Sequence, residues 1–237
     1  MTASEPADGS SSGQSVMDPS DPAYRGQELY SRWFLRIYDP LILGFYGNVV
    51  WRCPTSRLVQ QYRHYMGHRH LDVGPGTGYF LEHAQLPRDT QITLLDPNPD
   101  ALAHAARRLF HVHPSMIQAD VLKPLPVSAG ERFDSAALNY VLHCLPGPPA
   151  RKAAAVRNVA RVLKPGGMLF GASVLGQAAP HTPLSRAVLW FVNSRRIFDN
   201  LGDTEAELRA MLADSFESVD LEVLGSVAVF ACRSRDS

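Results

Sequence analysis

At 237 residues the chain can bury one substantial core, and one domain with an appendage suits that length better than two. Its 23 basic and 23 acidic residues balance, so no basic field advertises a nucleic-acid partner. Cys53, Cys144 and Cys232 lie far apart and outside any metal-ligand spacing, which suits a reduced, cytoplasmic protein; no signal core opens the chain, and the longest apolar stretch, residues 40–51, is too short to span a bilayer.

Residues 1–21 are rich in Ser, Gly, Pro, Asp and Glu and almost lack large apolar groups. Burial there cannot offset ordering entropy, so the reading is a disordered tail. From Tyr24 the character changes. Leu29, Trp33 and Ile37 recur every fourth residue beside Tyr30 and Phe34, which predicts an amphipathic helix that Pro40 ends or bends. A dense apolar patch follows (Leu41 to Trp51), broken by Gly44 and Gly47. The spacing then predicts a helix over 55–66, with Leu58, Val59, Tyr62 and Met66 facing inward and Gly67 as its stop. Residues 22–67 carry more aromatic surface than a helix needs to lie on a sheet. They are read as a helical cap over a pocket, within the same domain as residues 68–237; ordinary core packing competes for any single residue.

Next comes Leu71-Asp72-Val73-Gly74-Pro75-Gly76-Thr77-Gly78-Tyr79, a short apolar run that ends in an acid and three alternate glycines. It predicts a buried strand, a tight loop, and a helix over 78–86. Glycine lets a ligand press against bare backbone. A dinucleotide fingerprint would need a third Gly where Tyr79 stands, and a phosphate loop would need a nearby Lys; neither pattern is met. A Gly-rich turn serving only strand–helix packing is the competing explanation.

Strands and helices then alternate. Strands are predicted over 91–96, 116–118, 133–140 and 168–175, with helices over 99–110, from Pro149 to Leu163, and over 184–192. Lys164-Pro165-Gly166-Gly167 reads as a turn, and Thr204 with Glu207 as a capping box opening another helix. Strands over 219–224 and 227–232, joined at Gly225, are close enough to be antiparallel. Repeated strand–helix units imply a doubly wound α/β fold, with a mostly parallel seven-stranded sheet and an antiparallel last strand. Ligands of such sheets bind at the strands' carboxyl ends, where residues 74–78, Asp96, Asp120, Asn139 and Tyr140 are expected.

The order Asp-x-Gly-x-Gly-x-Gly after a strand resembles the first motif of class I S-adenosylmethionine-dependent methyltransferases, whose fold is Rossmann-like. Leu94-Leu95-Asp96-Pro97-Asn98 resembles the second motif, Ala119-Asp120-Val121 the third, residues 135–143 the fourth, and Lys164-Pro165-Gly166-Gly167 the structural loop before strand five. The resemblance covers residues 69–232 and departs only modestly, at Pro75. It implies S-adenosylmethionine as cofactor, held by Asp72, Gly74, Gly76 and Gly78; by Asp96 on the ribose, with Pro97 and Asn98; by Asp120 and Val121 at the adenine; and by Asn139 and Tyr140 beside the methionyl end. A carboxylate suits a diol because it offers two acceptor oxygens.

It further implies an enzyme that methylates a small, largely apolar metabolite, as in quinone methylation and secondary metabolism. His143, directly after the fourth motif, is the candidate base for an oxygen or carbon acceptor, against a purely structural role. Tyr24, Tyr30, Trp33, Phe34 and Tyr38 are candidates to meet the acceptor, with Trp190, Phe191 and Phe198 as an opposite wall. His64, His68 and His70, and His111 with His113, cluster without completing a metal set, so no metal is expected. A protein of this fold that cyclises or merely binds is the alternative, and a nicotinamide oxidoreductase is disfavoured by Tyr79.

Overall fold

The computed structural model describes residues 47–87, 89–177 and 179–236. The expected tail, the helix around Trp33, and Tyr24, Tyr30, Phe34 and Tyr38 lie outside the described residues.

Helix α1 (Thr55–Tyr65) buries Leu58, Val59, Gln61 and Tyr62, which fall on one side of a 3.6-residue period. Gln61 Nε2 donates to the carbonyl of Phe230 at 2.9 Å, pinning the helix to sheet backbone. The helix ends before the expected stop: Met66 is already extended, and Gly67 is not among the residues with positive φ. Gly67 answers a different need. A Cβ there would stand 2.5 Å from the Cβ of Asp134.

The remaining elements are β1 (Arg69–Val73), α2 (Tyr79–His83), β2 (Gln91–Asp96), α3 (Pro99–Arg108), β3 (Ser115–Gln118), β4 (Phe133–Asn139), α4 (Pro149–Val162), β5 (Leu163–Val174), α5 (Pro183–Ser194), α6 (Glu205–Ser215), β6 (Ser218–Leu224) and β7 (Val227–Arg233). The sheet order is β3-β2-β1-β4-β5-β7-β6. Only β7 runs against its neighbours, so the seven-stranded, doubly wound sheet expected from the sequence is the fold found.

Two local expectations shift. Helix α2 stops at His83 instead of reaching residue 86, because Gln85 turns to a φ of +58° ahead of Pro87. The Lys164–Gly167 turn lies inside β5, not before it. Leu163 pairs with Phe133 and Met168 with Ser135, so extra residues bulge from the ladder there. Pro165 has no N–H to donate, and Gly166 sits at φ +68°, which explains why the ladder breaks at this point.

Both faces of the sheet are covered. On one, Tyr62, Leu81, Leu102 and Ala105 close on Ile92, Leu94, Ala137 and Phe170. On the other, Val156, Val159, Leu208 and Leu212 close on Leu71, Ala136, Leu138 and Leu169. Ala136, Ala137 and Leu138 alternate between the two layers, as period two requires. Each fully buried Leu or Phe contributes about 1.5–3 kcal/mol. A third cluster joins Val50, Trp51, Cys53 and Leu58 to Ala172, Val174, Val227 and Leu189. The described part of the 22–67 stretch is thus packed on the sheet and supplies part of its core.

Candidate active site

From β1 the chain moves outward through β2 and β3, then crosses back to β4 on the other side of β1. Connections diverge there, and in open sheets of this kind that divergence makes the crevice at the strands' carboxyl ends the place where ligands bind. Asp72, the glycine loop, Asp96, Asp120, Asn139 and Tyr140 all stand along that edge.

The glycines of the loop have φ of +66° at Gly74, +54° at Gly76 and +77° at Gly78. A Cβ on Gly74 would lie 2.6 Å from Val141 Cγ2, so its bareness lets the β1 loop touch the loop after β4. A Cβ on Gly76 would meet nothing within 4 Å. Bare backbone beside open space is what a close-fitting ligand requires.

Each strand-end acid is held by its own turn. Asp96 Oδ1 accepts from Asn98 N–H at 2.8 Å, and Asp120 Oδ1 from Leu122 N–H at 2.9 Å. The Asn98 side chain is engaged in capping α3, accepting from Asp100 N–H at 2.9 Å, while the Pro97 carbonyl accepts from Gln118 Nε2 at 3.2 Å. Asp96 keeps part of its surface open at the cleft, yet protein rings its carboxyl, and burial raises its pKa to about 7. Asp72 is 2 % exposed and accepts from the Tyr62 hydroxyl at 2.9 Å; burial raises its pKa to about 7, against the lowering effect of that bond.

Val121 is buried beneath the Asp120 turn, its carbonyl taken by Asn158 Nδ2 at 2.9 Å. Asn139, 6 % exposed, has neither Nδ2 nor Oδ1 in sound hydrogen-bonding geometry with a described residue, although its amide lies near enough to the Tyr62 hydroxyl to favour that group's ionisation. An open buried amide costs about 1–3 kcal/mol unless something completes it. The open backbone at Gly76 and this amide fit S-adenosylmethionine, which carries an ammonium, a carboxylate and a ribose diol.

His143 stands on a single 3-10 turn, Leu142–Cys144, and is 2 % exposed. Its Nδ1 accepts from Val174 N–H at 3.2 Å, so Nε2 carries the proton of the neutral ring. Burial, helped by the nearby Lys152 ammonium, lowers its pKa to about 3. Phe198 packs against the ring at 4.2 Å and Tyr140 at 5.7 Å. Tyr140 holds a left-handed φ of +59°, the kind of backbone strain that gathers at functional sites. Behind His143 the buried Lys152 reaches the Asp203 carboxylate and the Asp199 carbonyl, each at 2.6 Å, and Asp199 N–H donates to the His143 carbonyl at 2.9 Å.

Phe198 also faces Trp51 at 6.2 Å, which makes an apolar wall beside Tyr140. Trp190 is 68 % exposed on α5 and makes no ring contact with these groups among the described residues. Sequence reasoning took Tyr62 only as one inward position of α1 and passed over Lys152. The missed signal in Tyr62 was its hydroxyl, which a buried ring must satisfy. His70, from the histidine cluster, is buried against Ser135 Oγ at 2.8 Å. Among the described residues no three His, Cys, Asp or Glu gather to hold a metal, and no helix is long and apolar enough to cross a membrane.

Residues 71–169 match the family described as a methyltransferase domain. The chain is similar to the physcion biosynthesis cluster O-methyltransferase of Aspergillus chevalieri, at 38% identity over 88% of this chain and 95% of that one. It is also similar to the demethylluteothin O-methyltransferase of Streptomyces thioluteus, at 36% identity over 89% and 92% respectively. In fold it is like the N-methyltransferase NodS of Bradyrhizobium japonicum WM9, solved with S-adenosyl-L-homocysteine, with a TM-score of 0.62 at 19% identity over 90% of this chain and 99% of that one. These relatives weigh against a protein that merely binds or cyclises. The chain belongs to the S-adenosylmethionine-dependent methyltransferases, and it is an enzyme that methylates small molecules.

Proposed function

We propose that the enzyme methylates a phenolic or enolic oxygen on a small, largely apolar metabolite of secondary metabolism, in the cytoplasm. The observation that carries this reading is the wall of Trp51, Phe198 and the neutral His143 ring beside Tyr140, the residue that follows β4. Apolar walls with few polar groups suit a flat, apolar acceptor. Both curated relatives described above are O-methyltransferases. The three cysteines are free thiols, in keeping with a reducing compartment.

The bound cofactor supplies an electrophilic methyl on a sulfonium. In this reading Gly74, Gly76 and Gly78 offer bare backbone, Asp96 accepts from the ribose, Asp120 and Val121 meet the adenine, and Asn139 and Tyr140 meet the methionyl end. Holding two partners in line and in contact supplies most of the acceleration. A dry wall favours a step in which positive charge disappears. His143 with its Nδ1 engaged offers Nε2–H as a donor to orient the acceptor oxygen, and a base role would require that bond to break. Acidic phenols and enols ionise without a dedicated base near pH 8, which fits this arrangement. Tyr24, Tyr30, Trp33, Phe34 and Tyr38 would close the acceptor side from residues 22–46, with residues 1–21 dispensable.

The test is transfer of isotopic methyl from S-adenosylmethionine to a panel of phenols, enols, demethylluteothin and primary amines. O-methylated phenols or enols are expected. Transfer to amines alone overturns the oxygen assignment. Deletion through residue 20 is expected to leave turnover unchanged, and deletion through Tyr46 to abolish it while S-adenosylhomocysteine still binds. Full turnover in the longer truncation removes the N-terminal stretch from acceptor binding.

A further inference from the structure

Tyr62 lies on α1, ahead of the region matched as a methyltransferase domain, residues 71–169. Its side chain is 1 % exposed and clamped by three rings: Phe80 stacked at 5.9 Å, Phe170 edge-on at 5.0 Å and His70 edge-on at 5.7 Å. So confined, the hydroxyl points at one acceptor, Asp72 Oδ2, 2.9 Å away. Burial and the Asp72 charge hold the Tyr62 pKa well above its ordinary value, so the group stays a donor. Asp72 pairs with Ala137 across the β1–β4 ladder, which puts Asn139, with its open amide, two residues nearer the cleft on the adjacent strand.

We propose that Tyr62 is a positioning residue for the cofactor: its hydroxyl holds the Asp72 carboxylate as an anion beside the Asn139 amide, and together these receive the methionyl ammonium. This rests on the cofactor lying in the cleft at the strand ends. A buried carboxylate with a single protein donor is poorly stabilised by the protein alone. A cation brought by the ligand supplies what is missing, and the Asn139 amide gains a partner at the same time.

A pH signature follows. The groups facing Asp72 are Tyr62 from α1, His70 from β1, whose pKa burial lowers to about 3, and the uncharged Asn139 from β4. With a pKa of about 7, Asp72 loses its charge as pH falls through neutrality, and affinity for a ligand ammonium falls with it. Removing the donor makes the carboxylate take a proton more readily, so the loss begins at higher pH. Asp96 titrates in the same range at the next strand end, so an Asp96→Asn background isolates the contribution of Asp72.

The experiment compares wild type and Tyr62→Phe by calorimetry with two probes between pH 6 and 9. S-adenosylhomocysteine carries the amino-acid end, and 5′-methylthioadenosine lacks it. The variant is expected to bind S-adenosylhomocysteine about ten- to a hundredfold more weakly, to bind methylthioadenosine within about twofold of wild type, and to lose affinity from a higher pH. Equal weakening toward both probes makes Tyr62 a packing residue and overturns the proposal. Unchanged binding of both makes the hydroxyl irrelevant. If wild type binds neither probe, the placement of the cofactor itself fails, and this inference with it.

Discussion

The proposed cofactor side of the strand-end crevice and its proposed acceptor side are built on different scales. Gly74, Gly76 and Gly78 with the Asp96 and Asp120 turns are short local devices, each closed within a few residues of itself. The acceptor side is assembled from afar. Trp51 precedes the sheet, His143 follows β4, and Phe198 follows α5, and the buried Lys152 draws residues 199–203 in behind them. Local devices tolerate most sequence change elsewhere, save at the few neighbours they touch, such as Val141 against Gly74. An assembled wall can be altered at any of its distant suppliers.

Breaking the cofactor side should have the largest effect. Gly76→Val puts a branched side chain at φ +54° into the open space, so S-adenosylhomocysteine binding is expected to vanish by calorimetry while circular dichroism keeps the native signature. Lys152→Met attacks the acceptor side by removing the buried ammonium and leaving the half-buried Asp203 without its cation. The expected loss is about 3–5 kcal/mol in urea unfolding, with partial recovery in Lys152→Met/Asp203→Leu. If the single variant is as stable as wild type, the pair does not hold that wall.

Asp96→Ala is smaller again. With Asp96 on the ribose as proposed, it removes an acceptor and should weaken S-adenosylhomocysteine by about 1.5–3 kcal/mol; an unchanged dissociation constant would leave Asp96 as a turn residue only. The smallest expected effect is in pH. His70 and His143 have folded pKa values lowered to about 3, so they contribute stability above their unfolded value, near 6.5, and lose it as pH falls toward 3. Asp72 and Asp96 are raised to about 7, so they contribute stability below their unfolded value, near 4, and lose it as pH rises through 7. Between roughly pH 6.5 and 4 the two pairs oppose each other at about 1.4 kcal/mol per pH unit for each proton, and unliganded stability should be nearly flat. Saturating S-adenosylhomocysteine, which favours the carboxylates ionised, should restore a slope falling toward acid.

The same division explains what the sequence made legible. Strand runs, the glycine loop and the Thr204 capping box are local patterns, and the fold follows from their order. Lys164 to Gly167 reads as a turn because Pro and Gly punctuate locally, yet β4 pairs with Leu163 before it and Met168 after it and so carries the strand through it as a bulge. Gly67 was read as a helix stop, where the crowding comes from Asp134 on another strand. The Tyr62–Asp72 bond and the Lys152–Asp203 pair join side chains whose meeting depends on how helices lie on the sheet, and no periodicity encodes that.

Gly74 and Val141 carry a practical lesson for redesign. Val141 sits in sequence between Tyr140 and His143, at a place that invites randomisation by anyone seeking a new substrate range. Its methyl already fills the space a Gly74 side chain would need. A larger residue at position 141 would therefore be felt first by the glycine loop, and libraries that enlarge it should be depleted of cofactor binders before any change in acceptor preference can be scored. Phe198, half-buried and packed against the His143 and Trp51 rings, is the better place to diversify, whereas Trp51 belongs to the core.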